Sequence, residues 1–101
     1  MNQVFKALAD PTRRGILQLL RGQPMTAGEL SEHFSVAKPT LSAHFTVLRE
    51  ADLIEAEKRG TTIWYRLKLS VLEDALLAFA DTVGIGKTQH TKLKTVLREQ
   101  Q

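Results

Sequence analysis

The chain predicts a mainly α fold carrying one small β-hairpin, an α+β arrangement in the order α-α-α-α-β-β-α. Three observations point there. Residues 26 to 51 divide into two short helically periodic segments with a tight turn between them. Residues 53 to 67 switch to alternation, and both flanks return to helical spacing. Two short helices joined by a turn and followed by a hairpin describe a winged helix-turn-helix. Spare apolar surface on the outer helices predicts a dimer.

Val4, Phe5 and Leu8 form a short apolar face at the start. Asp10 caps a helix that begins at Pro11, carries Ile16, Leu17, Leu19 and Leu20 as core, and is expected to end at Gly22. Thr26 with Glu29 makes a capping box: the threonine oxygen accepts from the amide three positions on, and the glutamate reaches back. Leu30 and Phe34, four apart, give that helix its inner face, and Ser35-Val36-Ala37 makes the turn. Pro39 fits the first turn of the next helix, where its missing amide has no intrahelical partner to lose. Leu41, Phe45 and Leu48 form a core stripe. At about 3.6 residues per turn the opposite side holds Pro39, Ser42, Ala43, Thr46 and Val47, with Lys38 and Thr40 on its flanks. A plain surface helix would carry Lys and Glu there; small polar and methyl-bearing groups let a helix approach base edges in a major groove.

Beyond Leu53, Ile54 and Ala56 share one side of a strand, and Thr61, Ile63, Tyr65 and Leu67 share a face of the next. Lys58-Arg59-Gly60-Thr61 is the basic turn between them, and its glycine supplies the positive φ that a tight hairpin requires. Such a turn after a recognition helix reads as a wing whose cations neutralise phosphates or enter a minor groove. Ser70 with Glu73 makes a second capping box. The helix it opens shows Val71, Leu72, Ala75, Leu76, Leu77, Phe79, Ala80 and Val83, a band wider than one core-facing stripe. Val4, Phe5, Leu8, Leu72, Leu76, Phe79 and Val83 are therefore the expected dimer contact.

Taken in order, Ala9-Asp10-Pro11-Thr12-Arg13-Arg14, Thr26-Ala27-Gly28-Glu29-Leu30, Ala37-Lys38-Pro39-Thr40-Leu41-Ser42-Ala43-His44-Phe45 with Leu48, and the Lys58-Arg59-Gly60 wing resemble the ArsR family of winged-helix repressors. Within it they resemble the small SdpR-type autorepressor group. The likeness spans roughly residues 2 to 83. It implies a homodimer that binds a pseudo-palindromic double-stranded operator and blocks transcription, often of its own operon. It also implies Lys38, Pro39, Ser42 and Ala43 as groove-facing residues, Thr40 as a phosphate contact, and Arg59 and Thr61 on the wing. Thr46 and Lys58 complete the expected DNA-binding set. Many relatives carry long polar side chains where Pro39 and Ala43 stand. Apolar groups there contact thymine methyls instead, so the expectation is an A·T-biased operator with Ser42 and Lys38 as its hydrogen-bonding readers.

Metal sensing, common among ArsR relatives, is not expected here, and neither is any cofactor. There is no cysteine, and Glu29, Ser31 and His33 occupy the stretch where several relatives place thiolates. Asp74 is followed two on by Leu76, Asp81 by Val83, and His90 three on by Leu93, so the other ligand pattern of the family is missing as well. His33, His44 and His90 are far apart in sequence; a site assembled across a dimer is the remaining metal-responsive alternative. His44 is expected at the edge of the core, satisfied by a hydrogen bond. No nucleophile elbow, phosphate-cradling glycine loop or carboxylate pair near a histidine suggests an enzyme. A protein-docking module is the other alternative, and it leaves the coincidence of a groove-sized helix and a basic wing unexplained.

A length of 101 residues allows one domain with a modest core. No apolar run approaches a membrane span, and Met1 to Ala9 is too short and polar for a signal peptide, so a cytoplasmic protein without membrane insertion is expected. Residues 84–101 hold four Lys or Arg against one Glu; the other ten basic and ten acidic residues balance in 1–83. The expected division is thus a neutral DNA-binding and dimerisation domain over 1–83 and a basic tail over 84–101, a short helix around Leu93, Val96 and Leu97 or a frayed end. Affinity for DNA must come from local patches of the domain. A protein antagonist is left as a candidate releasing signal.

Overall fold

The computed structural model describes residues 2–86. The expected helix and the cations of the tail beyond Gly86, and His90, lie outside them. The elements are α1 (Asn2–Leu8), α2 (Pro11–Leu20), β1 (Met25–Thr26), α3 (Ala27–Ser31), α4 (Lys38–Glu50), β2 (Ile54–Arg59), β3 (Thr62–Leu67) and α5 (Leu69–Thr82). This is the order expected from sequence with one strand added. β1 pairs antiparallel with β3, extending the hairpin to a three-stranded sheet in the order β1-β3-β2. Two residues carry no periodicity; only their pairing with Tyr65 and Trp64 makes them a strand.

The two N-caps ahead of the turn form as their residues dictate. Asp10 takes extended backbone and accepts from the Arg13 amide at 3.1 Å. Thr26 accepts from the Glu29 amide at 3.0 Å while the Glu29 carboxylate accepts from the Thr26 amide at 2.9 Å. Three expected boundaries move. α2 stops at Leu20 with Arg21 as its cap, still right-handed, so Gly22 is not the left-handed terminator. α3 stops at Ser31, and Phe34 lies in the turn beyond it. The Ser70–Glu73 capping box does not form, because α5 begins two residues earlier than that cap implies, at Leu69 with Lys68 in the cap position. The Lys68 amide donates to the Leu53 carbonyl at 2.8 Å, and this strand-to-helix junction sets the start instead.

Helix α4 ends in a Schellman motif. The Leu53 amide reaches back to the Leu48 carbonyl at 3.0 Å and the Asp52 amide to that of Arg49 at 2.9 Å. The left-handed position is taken by Asp52 (φ 60°) rather than glycine, and its carboxylate holds Lys68 Nζ at 2.7 Å. Leu48 and Leu53, both fully buried, close the motif on the core.

That core gathers Val4 and Ala7 of α1, Ile16, Leu17 and Leu20 of α2, Leu30 of α3, Leu41, Phe45 and Leu48 of α4, Ala51 and Leu53 of the junction after it, and Ile54 and Tyr65 of the sheet. The expected stripe of α4 is the buried one, and the Phe45 and Tyr65 rings stack with centroids 4.5 Å apart. Gly15, inside α2, leaves room for the Phe34 ring; a Cβ there would come within 3.1 Å of it. The helix-turn-helix corner thereby packs directly on the α2 backbone.

Arg13 joins three helices. Its Nε donates to the Ala7 carbonyl at 2.8 Å and its Nη2 to that of Lys6 at 3.0 Å, satisfying the last turn of α1. Its Nη1 meets Nδ1 of His44 on α4 at 3.1 Å. A guanidinium only donates, so Nδ1 accepts and the ring proton sits on Nε2, which faces Asp10 Oδ2 at 3.9 Å. His44 is satisfied at the core edge, as expected. Desolvation pushes the Asp10 carboxyl up, but the Arg13 amide, the His44 imidazole and the Thr12 amide outweigh it and hold the group below its ordinary value.

Arg13→Ala is expected to cost about 1–3 kcal/mol, the scale of charge-assisted bonds lost to partly buried carbonyls, read as a lower urea midpoint with an unchanged slope. Asp10→Asn gives a pH test. A carboxyl lowered on folding stabilises the fold above its unfolded pKa, and that contribution is lost as pH falls below about 4. The Tm gap between wild type and this variant should therefore be open at neutral pH and close on acidification.

Candidate nucleic-acid interface

Helix α4 presents Lys38, Pro39, Thr40, Ser42, Ala43 and Thr46 to solvent along one side. Val47, grouped with them by the helical wheel, instead packs half-buried against the core. The Thr46 hydroxyl donates to the Ser42 carbonyl at 3.1 Å, which leaves the methyl as the unengaged group of this exposed side chain. Ser42 makes no side-chain bond within the described residues, so its hydroxyl is free to donate or accept. The exposed side is uncharged along its middle and built of small residues.

The start of α4 adds a feature that sequence reasoning passed over. Its cap residue is Ala37, which takes the extended cap conformation but has no side chain to accept from the first amides. Pro39 removes one donor, leaving the Lys38 and Thr40 amides unfilled beside the Lys38 ammonium and the Thr40 hydroxyl. Unfilled helix-start amides with the positive end of the helix dipole suit a phosphate oxygen. The signal was in the sequence: α2 and α3 open on Asp10 and Thr26, and α4 opens on an alanine.

Register sorts the wing into two faces. Ile54, Ala56 and Lys58 pair with Leu67, Tyr65 and Ile63 on the face toward α4, and Glu55, Glu57 and Arg59 pair with Arg66, Trp64 and Thr62 on the outer face. Gly60 has φ 63° while Thr61 keeps a negative φ, the pattern of a type II′ turn; Thr61 therefore sits at the tip and not in β3. Arg59 is engaged by Glu57, and Arg66 by Glu55. Lys58 has no ion-pair partner among the described residues, and it is the wing cation on the α4 side.

The residues expected at a dimer contact divide. Val4 is buried in the core. Phe5, Leu8, Leu72 and Leu76 are half-buried, while Phe79 and Val83 are 45 % and 52 % exposed. The Phe5 and Phe79 rings meet edge-on at 5.0 Å, joining α1 and α5 into one apolar surface that Ile85 extends. Elsewhere an open groove of about 360 Å³, lined by Leu8, Leu17, Leu67, Leu72 and Leu76 with Arg14 and Arg21 among its polar neighbours, lies apart from α4. No group of three His, Cys, Asp or Glu among the described residues is placed to hold a metal ion, and no described helix is long and apolar enough to cross a membrane.

A family model described as a helix-turn-helix domain matches residues 8–57. The chain is 49% identical over 76 residues to the transcriptional repressor SdpR of Bacillus subtilis (strain 168), covering 75% of this chain and 84% of that protein. It is 36% identical over 76 residues to an arsenical resistance operon repressor of Staphylococcus aureus, covering 75% and 73%. The crystal structure of an ArsR family transcriptional regulator superposes with a TM-score of 0.72 at 32% identity, covering 81% of this chain and 87% of that one.

Ser42→Glu places an unpaired charge in the middle of the α4 surface without touching the core. The expected result is an unchanged thermal melt with specific DNA affinity lowered on the order of a hundredfold or more, the scale of an uncompensated interface charge. Retained affinity would move the reading surface off this side of α4.

Proposed function

From its membership of the ArsR family of helix-turn-helix transcriptional repressors, to which the chain belongs, we propose that it acts as a homodimer on a pseudo-palindromic operator that includes its own promoter. The family consists of DNA-binding regulators and not of enzymes. One observation carries the finer reading: α4 exposes a side of small residues between an unfilled helix start with Lys38 and a wing with Lys58. That order, phosphate site, base-reading side and wing cation, matches the sequence of backbone, major groove and adjacent backbone that a seated recognition helix meets.

In this reading Lys38, Thr40 and the α4 amides hold the phosphate, Ser42 reads a base edge, and Pro39, Ala43 and the Thr46 methyl pack on thymine methyls. Lys58, Arg59 and Thr61 of the wing lie along the neighbouring strand. The α1–α5 surface, with Phe5, Phe79 and Val83, buries against its copy, which sets the two α4 helices about one helical turn of DNA apart, roughly 34 Å. Action is in the cytoplasm. For the releasing signal a protein antagonist fits better than a thiol-bound metal, because the chain has no cysteine.

Fluorescence anisotropy with DNA from upstream of the gene and a scrambled duplex, at near-physiological salt, tests this. The expected outcome is a Kd of about 10⁻⁸–10⁻¹¹ M confined to the native fragment, saturating at two subunits per site. Equal, weak and salt-sensitive binding to both duplexes would overturn autoregulation.

A further inference from the structure

Among the described residues the outer face of the wing carries two ion pairs that differ in kind. Glu55 and Arg66 face each other across the strands, whereas Glu57 and Arg59 stand two apart on β2, at the tip. Arg59 donates from Nε and Nη2 to both carboxylate oxygens of Glu57, each at 3.2 Å. Its guanidinium carbon also lies 5.4 Å from the centre of the Trp64 ring, and Trp64 is the register partner of Glu57. The carboxylate takes the donor edge of the guanidinium and the indole takes its face. The pair holds the Glu57 carboxyl below and the Arg59 guanidinium above their ordinary values, through their mutual hydrogen bonds and charge. Both side chains are more than 60 % exposed, at 65% and 62%. A clamp this exposed is ordered yet weak enough to be exchanged for another anion.

We propose that Glu57 is a specificity-determining residue: it withholds Arg59 from the phosphate backbone until α4 is seated on its operator. The proposal rests on the DNA-binding reading above. In a passing encounter a phosphate must displace a bidentate carboxylate already in place, so Lys58 alone engages from the wing. When α4 reads its bases, the wing is held against the adjacent backbone and the local phosphate density transfers Arg59 from Glu57 to DNA. Arg59 then adds a contact to the right complex that the wrong one lacks. Discrimination is a difference of affinities, and this device widens it by weakening the competitor.

The test is a salt titration of anisotropy on the native and scrambled duplexes with wild type, Glu57→Gln, Arg59→Ala and the double variant. Glu57→Gln should raise affinity for the scrambled duplex about two- to fivefold and steepen its salt dependence by about 0.9, one phosphate contact. The native fragment should gain less, so the ratio between the duplexes falls. In the Arg59→Ala background the same substitution should leave that ratio unchanged. Plain repulsion between Glu57 and DNA would raise both duplexes equally, with or without Arg59, and that result overturns the proposal. If wild type shows no preference for the native fragment, autoregulation fails, but the clamp is still decided. The steeper slope on scrambled DNA must appear with Arg59 present and vanish without it.

Discussion

The structure depends on how the last carbonyls of α1 are satisfied. A seven-residue helix cannot hold itself in water, and its final turn leaves acceptors with no partner. Arg13 and Arg14 supply the donors from the next helix: Arg13 to Lys6 and Ala7, Arg14 to Leu8 at 2.8 Å. Asp10 starts α2 at the place that brings both arginines back over the end of α1. The remaining nitrogen of Arg13, Nη1, goes to His44, so one planar side chain links α1, α2 and α4 together. Core contacts through Val4 and Ala7 hold α1 by its apolar face, and Arg13 adds the polar link that ties its last turn to α4.

This explains which parts were legible. The caps at Asp10 and Thr26, the Leu41–Phe45–Leu48 stripe and the glycine of the wing are local rules, and short spacings expose them. The motif from Asp10 to Arg14 could be recognised in sequence as a resemblance, but its work is tertiary: the partners of Arg13 lie six and thirty-one positions away. β1 was invisible because two residues become a strand only beside β3. The start of α5 was misplaced because the Leu53 carbonyl, not Ser70, decides it, and no window around Ser70 contains Leu53. The end of α4 falls where the periodicity stops, at residue 51, but the device that ends it is hidden: the left-handed position usually betrays itself as glycine, and here it is Asp52, which Lys68 helps to hold.

Periodicity sorts the exposed side of α4 from its buried stripe, because one side of the helix must stay out of its own core. What periodicity does not convey is availability. The wing tip reads as two equivalent cations in sequence, Lys58 and Arg59, yet strand alternation puts them on opposite faces and Glu57 engages only the second. Likewise Thr46 reads as a hydroxyl and presents a methyl. Charge counted along the chain therefore overstates what the surface offers; with ten basic and ten acidic residues in 1–83, pairing decides which cations are left.

The same logic bears on the start of α4. Two earlier helices of the motif region spend a polar side chain on closing their first amides, and a serine or threonine at position 37 would do so again at a typical gain of about 1 kcal/mol. Ala37 forgoes that stabilisation. An open helix start is a loss in a free protein and an asset in a bound one, because a phosphate then meets donors already oriented and not competing with a side chain. Lys38 at the first helical position adds its charge at the same point, and Pro39 fixes the backbone there so that little ordering remains to be done on binding. A helix whose beginning has no side-chain cap thus has its opposite end closed twice, by the Leu48–Leu53 contact and the Asp52–Lys68 pair. Rigidity is supplied from the core side, and the first amides are left without a side-chain partner, as the proposed phosphate contact requires.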